Sequence, residues 1–245
     1  MEVVRAVPTA LNAMLSGGEL DVAAISAAHW LEHRDAFVRV GDLGIVADGP
    51  VRSVLLVAPM PPALLVTQPI AATAQSASGR ALLAAILRGI HGFEPVFETV
   101  DDALGAARAG RPALIIGDDA LEARATLPQR RVHDLGECWR EWQGLPMTFA
   151  VWAARAEIAR EHPEELAALT AALIASRAWG AARPDAIIDA AVARRPAHRA
   201  FYADYFTRLS YTIDARAEVG LERFASLCHP DSVNQTELVE GRPLA

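Results

Sequence analysis

Up to residue 155, short apolar runs alternate with stretches whose apolar positions recur every three to four residues. Beyond residue 155 only the second pattern continues. The first part predicts strands alternating with helices, and so an α/β chain with mostly parallel sheets. Strands are expected at residues 2–7, 20–26 (LDVAAIS), weakly at 45–47, at 53–58 (SVLLVA), 64–67, 95–98, 113–116 (ALII) and 147–154. Helices are expected at residues 8–15, 27–33, 80–90, 101–109 and 120–124, with Gly117-Asp118-Asp119 capping the last. Helices at 163–179, 184–193, 198–209 and 217–228 follow, and the polar end of the chain is expected to fray.

The densest pattern is residues 133–155, HDLGECWREWQGLPMTFAVWAAR, which hold Trp139, Trp142 and Trp152 of the five tryptophans. Leu135, Cys138, Trp139 and Trp142 share one helical face, Gly144 and Pro146 stop the helix, and an uncharged strand follows. Such a helix–turn–strand suits a crossing between two halves of a molecule.

Composition narrows the function. The chain has 245 residues, 52% of them hydrophobic, enough for one domain or two lobes around a cleft. Its formal net charge is -7 and it has no basic run, which argues against a nucleic-acid partner. An anionic ligand would therefore be held locally, by helix N-termini, hydroxyls or a single Arg. Cys138 and Cys228 imply no disulfide framework and read as reduced core thiols. Residues 53–74 are uncharged, but Pro59, Pro61, Pro62 and Pro69 interrupt them, so no membrane span is expected. The first residues lack a signal-peptide pattern. A soluble cytoplasmic protein is the expectation.

In parallel sheets ligands sit beyond the carboxyl ends of strands. That rule selects Ser26, Ser53, the stretch 73–78 and Gly117-Asp118. Thr73, Gln75, Ser76 and Ser78 would gather hydroxyls and free amides at a helix start, which suits a carboxylate; ordinary N-capping by Ser76 or Ser78 is the plainer alternative. Asp118 could hold a ligand hydroxyl or move a proton, or simply cap its helix. His29 and His33 match H-x-x-E-H, a zinc-binding helix pattern, but no third ligand suggests itself and no metal is assigned. No P-loop, dinucleotide fingerprint or nucleophile elbow occurs, so no cofactor is expected.

GGELDVAAIS, DGPVRSVLLVA, LIIGDDAL and HDLGECWREWQGLPMTFAVWAAR occur in that order. Together they resemble the menaquinone-biosynthesis family of the futalosine pathway, in particular its chorismate dehydratase branch. The likeness spans residues 7–155 and returns in YFTRLSYTIDARAEVGLERFASL. The resemblance implies a two-lobed type-2 periplasmic-binding-protein fold with two crossing strands, near residues 53–62 and 149–155. Lobe one would be residues 1–61 and 152–245, and lobe two residues 62–151. It implies loss of water from chorismate to give 3-[(1-carboxyvinyl)oxy]benzoate, without a metal or redox cofactor, the substrate's own side-chain carboxylate taking the proton. By position, Ser53 would touch the reacting ring, and Ser26, Thr73, Gln75, Ser76, Ser78, Gly117 and Asp118 would bind the dicarboxylate. The sister 1,4-dihydroxy-6-naphthoate synthase and a binding protein without catalysis share the fold, and a homodimer stays open. The family usually opens with a further strand and helix carrying a Leu-Asn-x-x-Pro-like motif. This sequence starts at what should be the second strand, so part of lobe one and of the site is expected to be missing. Ala74 and Gly79 stand where hydroxyl residues are common, and His29 where an acidic residue is frequent.

Overall fold

The computed structural model describes residues 2–195 and 199–228. The expected frayed end lies outside the described residues, as does the first residue of the helix expected from 198.

Two sheets carry the chain. The first has the order β1 (Val22–Ser26), β8 (Met147–Arg155), β2 (Phe37–Ala47), β9 (Ser210–Thr212). The second has the order β5 (Phe97–Thr99), β4 (Ile70–Ala72), β6 (Ala113–Ile116), β3 (Val54–Val57), β7 (Val132–Asp134). The chain passes from first to second sheet through residues 48–53 and returns through 144–146. The resemblance puts these crossings near residues 53–62 and 149–155.

The expectation of mostly parallel sheets needs correction. Every pairing in the first sheet is antiparallel, because the returning β8 runs between β1 and β2 against both. In the second sheet only β4 pairs in parallel, with β5 and β6; β3 enters antiparallel to β6 and β7.

Three strand expectations also change. Residues 2–7 join no ladder and are exposed. Residues 64–67 belong to a 3-10 turn at Pro62–Leu64 and the bend after it, while the buried strand is β4, just past Pro69. β2 is eleven residues long, far longer than residues 45–47. Its two glycines hid it, yet the strand needs both. Gly41 takes a φ of +60° where the ladder shifts register, and a Cβ on Gly44 would lie 2.7 Å from the Ala150 carbonyl oxygen.

Helices pack on both sheets. They include α1 (Pro8–Ser16), α2 (Ala27–Glu32), α3 (Ala77–His91), α4 (Ala103–Arg108), α5 (Gly117–Thr126) and α6 (Leu135–Gln143). After β8 come α7 (Ala156–Glu161), α8 (Pro163–Ala181), α9 (Pro184–Arg194), α10 (Arg199–Thr207) and α11 (Ala215–Cys228). The helix–turn–strand of 133–155 forms as its pattern predicts. Gly144 ends α6 with a φ of +70°, and the fully buried Trp139 donates its Nε1–H to the Pro146 carbonyl at 3.2 Å. Trp139 also meets Trp142 and Phe224 edge-on. One continuous core runs from Ile25 and Val151 of the first sheet to Leu56 and Leu114 of the second, by way of Leu82, Leu83 and Trp139. No helix among the described residues is long and apolar enough to cross a membrane.

Candidate active site

The second sheet's topology gathers the site. β5, β4, β6 and β7 all point the same way, and β3 runs against them. The carboxyl ends of the four strands therefore share one edge with the start of β3. That edge carries Thr99, Thr73, Gly117, Asp134 and Ser53.

Asp134 organises the approach to Ser53. It is 2% exposed, and it caps α6. Its Oδ1 accepts from the amides of Val51 (3.0 Å), Gly136 (3.0 Å) and Glu137 (3.3 Å), and its Oδ2 from the amide of Arg52 (2.7 Å). One carboxylate thus satisfies the helix start and pins the passage between sheets. Arg52 takes a φ of +67°, the left-handed region that a non-glycine residue adopts at a cost of about 1–3 kcal/mol. The two amides on Asp134 hold it there. Gly136 is needed for the fit, since a Cβ would lie 2.5 Å from the Gly49 carbonyl oxygen. The Gly-Pro-Val and Asp-Leu-Gly motifs, more than 80 residues apart in sequence by the Val51–Asp134 and Arg52–Asp134 bonds, are two halves of one joint.

Ser53 follows directly. Its carbonyl accepts from the Gly117 amide at 2.8 Å, which fixes it beside the start of α5. Tyr205, from α10, donates its hydroxyl to Ser53 Oγ at 3.2 Å, and Ser53 Oγ makes only a long 3.4 Å contact to the Val51 carbonyl. Burial pushes the Tyr205 phenol above its ordinary pKa, outweighing the opposing effect of the Ser53 contact, so it stays a proton donor at neutral pH. Arg52 pairs with Asp204 at 2.9 Å, and its Nε is buried without an acceptor.

The remaining candidates fall into two groups. Thr73 Oγ1 lies 3.3 Å from Ser76 Oγ, and Gln75 is exposed beside them. Ser76 occupies the N-cap of α3 without a side-chain capping bond, so plain N-capping does not account for its hydroxyl. Ser78 reaches across to the other sheet: its Oγ accepts from the Ala28 amide at 3.1 Å and donates to the Phe149 carbonyl at 3.3 Å. Ser26 does cap α2, accepting from the His29 amide at 3.2 Å. Buried Asn12 locks it twice, donating to Ser26 Oγ and accepting from the Ser26 amide. Ser26 and Ser78 thus meet around the start of α2, while Ser53, Thr73 and Gly117 line the sheet edge. Gly79 lies between the groups: a Cβ there would come into van der Waals contact with Val54 and Ile116. Asp118 is not a cap, because α5 starts at Gly117 and its N-cap is Ile116. Its carboxylate is exposed and pairs with Arg195 at 3.1 Å.

Sequence reasoning missed Asn12, Arg52, Asp134 and Tyr205. Asn12 carried a signal, a polar residue beside Leu11 and Leu15 on an apolar helix face. Asp134 carried one too, an Asp two residues before a helix glycine. Tyr205 carried none.

The profile of the family described as "Menaquinone biosynthesis" matches residues 1–230. The chain belongs to the menaquinone biosynthesis family. Among its relatives, a chorismate dehydratase of Thermus thermophilus is 32% identical over 238 residues, covering 91% of this chain and 85% of its own. The fold recurs in a protein of Archaeoglobus fulgidus at TM-score 0.72 and 20% identity, over 94% of this chain and 86% of that one. It recurs again in the periplasmic aliphatic sulphonate binding protein of Escherichia coli at TM-score 0.62 and 19% identity, over 92% of this chain and 79% of that one. The fold is thus that of the periplasmic binding proteins, two α/β lobes with crossing strands, in a family of menaquinone biosynthesis.

Proposed function

We propose that this member of the family is a carbon–oxygen lyase that removes water from chorismate to give 3-[(1-carboxyvinyl)oxy]benzoate. The observation that carries the reading is the likeness to the Thermus enzyme along most of both chains. The site chemistry supports it. The reaction breaks a ring C–H bond and the bond to the ring hydroxyl; the proton and the hydroxide leave as water and the ring becomes aromatic. Such an elimination asks a protein for three things: fixed carboxylates, a donor at the leaving oxygen and a dry setting.

The first two have candidates here. The α3 start, with Thr73, Gln75 and Ser76, offers hydroxyls and amides to one carboxylate. The Arg52 guanidinium beside Ser53 adds positive potential for the other, and its buried Nε lacks an acceptor. Ser53 Oγ accepts from Tyr205 and can turn its own proton from the distant Val51 carbonyl to the leaving hydroxyl. Tyr205 would stabilise the serine as it donates. Ser26, Ser78 and Gly117 support the walls, and Asp118 sits at the rim. The proton acceptor is the substrate's side-chain carboxylate in this reading.

The test is incubation of the purified chain with chorismate, with the benzoate product followed by chromatography. Product above the spontaneous background, reduced in Tyr205→Phe, is expected. Saturable binding without product would favour the binding-protein alternative, since the Escherichia coli neighbour is a sulphonate binding protein. Turnover of cyclic dehypoxanthine futalosine instead would assign the sister synthase.

A further inference from the structure

The H-x-x-E-H segment is not used by the elimination chemistry, yet the structure gives it what the sequence did not supply, a third ligand. α2 and its C-cap carry His29, Glu32 and His33, at i, i+3 and i+4. One potential ligand atom from each lies within 4.8 Å of the other two. The two imidazole rings are 4.3 Å apart between centroids, and both lie about 6 Å from the Phe37 ring (5.9 Å and 6.1 Å), which gives the cluster an apolar wall.

A second observation is independent of this spacing. His33 Nδ1 lies 2.9 Å from the His29 carbonyl oxygen. A carbonyl only accepts, so Nδ1 is the donor of this bond and Nε2 is the ring nitrogen left to face an ion. A backbone carbonyl behind the second ring nitrogen is the usual support of a metal-binding histidine. His29 Nε2 touches Ser16 Oγ at 2.8 Å, a contact that a metal bond can replace with little rearrangement, because Ser16 is exposed at the end of α1. A groove lined by Ser16, His33, Phe37, Arg155 and Glu157 opens beside the cluster and gives an ion access.

We propose that His29, Glu32 and His33 form a surface site for a divalent transition-metal ion of the zinc class. Two imidazoles and one carboxylate suit zinc and its neighbours rather than magnesium or calcium, which prefer all-oxygen sets. Zinc–nitrogen bonds of about 2.0–2.1 Å need the donors closer than 4.8 Å, a shift that side-chain rotation supplies at these half-buried and exposed positions. His29 touches Ser16 at the end of α1, and the rings of His29 and His33 both stand beside Phe37. All three ligands belong to α2 and its C-cap, so the ion would clamp that turn and would stabilise the native state by mass action.

The experiment is isothermal titration of the chelator-treated full chain with zinc chloride, magnesium chloride serving as control, alongside thermal unfolding with and without zinc. The expected result is one equivalent of zinc bound, a higher Tm in zinc, and no response to magnesium. His33→Gln, at an exposed position, should keep the apo Tm and weaken zinc binding by at least about tenfold, with Glu32→Gln weakening it less. No saturable zinc binding would overturn the proposal. So would zinc binding that His33→Gln and Glu32→Gln leave unchanged, since the ion would then sit on other histidines.

Discussion

The ties that hold the passages between the two sheets come in two kinds. On one side they are buried: Asp134 with its four amides, Trp139 with the Pro146 carbonyl, and Ser78 bridging the Ala28 amide and the Phe149 carbonyl. On the other they are partly exposed and come from the C-terminal helices: Arg52 with Asp204, Arg195 with Asp118, and the Tyr205 hydroxyl on Ser53. Buried ties between fixed groups cost free energy to leave unmade, so they set the geometry and do not open. Exposed ion pairs contribute little and exchange readily with water. Ser53 sits where the two kinds meet. The backbone beneath it is fixed by Asp134, and its hydroxyl is met by Tyr205 of α10. Ser53 therefore has a backbone fixed by buried bonds and a hydroxyl held by a helix whose other ties are part-exposed ion pairs.

That contrast can be broken from either side. Asp134→Ala leaves four amides without their acceptor, three of them on buried or half-buried backbone. It should cost at least about 3 kcal/mol in urea unfolding, and a loss below about 1 kcal/mol would remove Asp134 from the centre of the joint. Gly136→Ala drives a Cβ against the Gly49 carbonyl and should cost about 1–3 kcal/mol with the same method. Ser78→Ala removes one acceptor and one donor between the sheets and should cost about 1–2 kcal/mol; an unchanged Tm would mean that water replaces both bonds. Asp204→Ala opens the Arg52 pair at the solvent edge. It should change stability by less than about 1 kcal/mol, with an effect that shrinks further as salt is raised.

The same contrast explains what was legible in the sequence. Local signals worked where one segment decides the outcome. The 133–155 helix–turn–strand, β6 and α11 could be read from periodicity, Gly144 and Pro146. They failed where a distant partner decides. β2 was lost because Gly41 and Gly44 look like breakers until Ala150 and Ile213 are seen pressing against the strand. The antiparallel first sheet was lost because nothing local says that β8 returns between β1 and β2. Ser53 stands out as a candidate by its motif, but its partner Tyr205 stands 152 residues away and no local pattern marks it. The thiols could be read: both cysteines are half-buried, and burial pushes each up to about 11, which leaves them inert at neutral pH.

The measurement that bears most directly on the account is the steady-state kinetics of Ser53→Ala with chorismate, taken together with its thermal unfolding. The hydroxyl makes one weak bond to the Val51 carbonyl and accepts one from Tyr205, so its loss should leave Tm nearly unchanged. If Ser53 donates to the leaving hydroxyl as proposed, its removal should lower kcat by about 100-fold or more, with a much smaller change in KM. A variant that unfolds early while its folded fraction turns over chorismate at the wild-type rate would contradict the account, because Ser53 would then serve the fold alone.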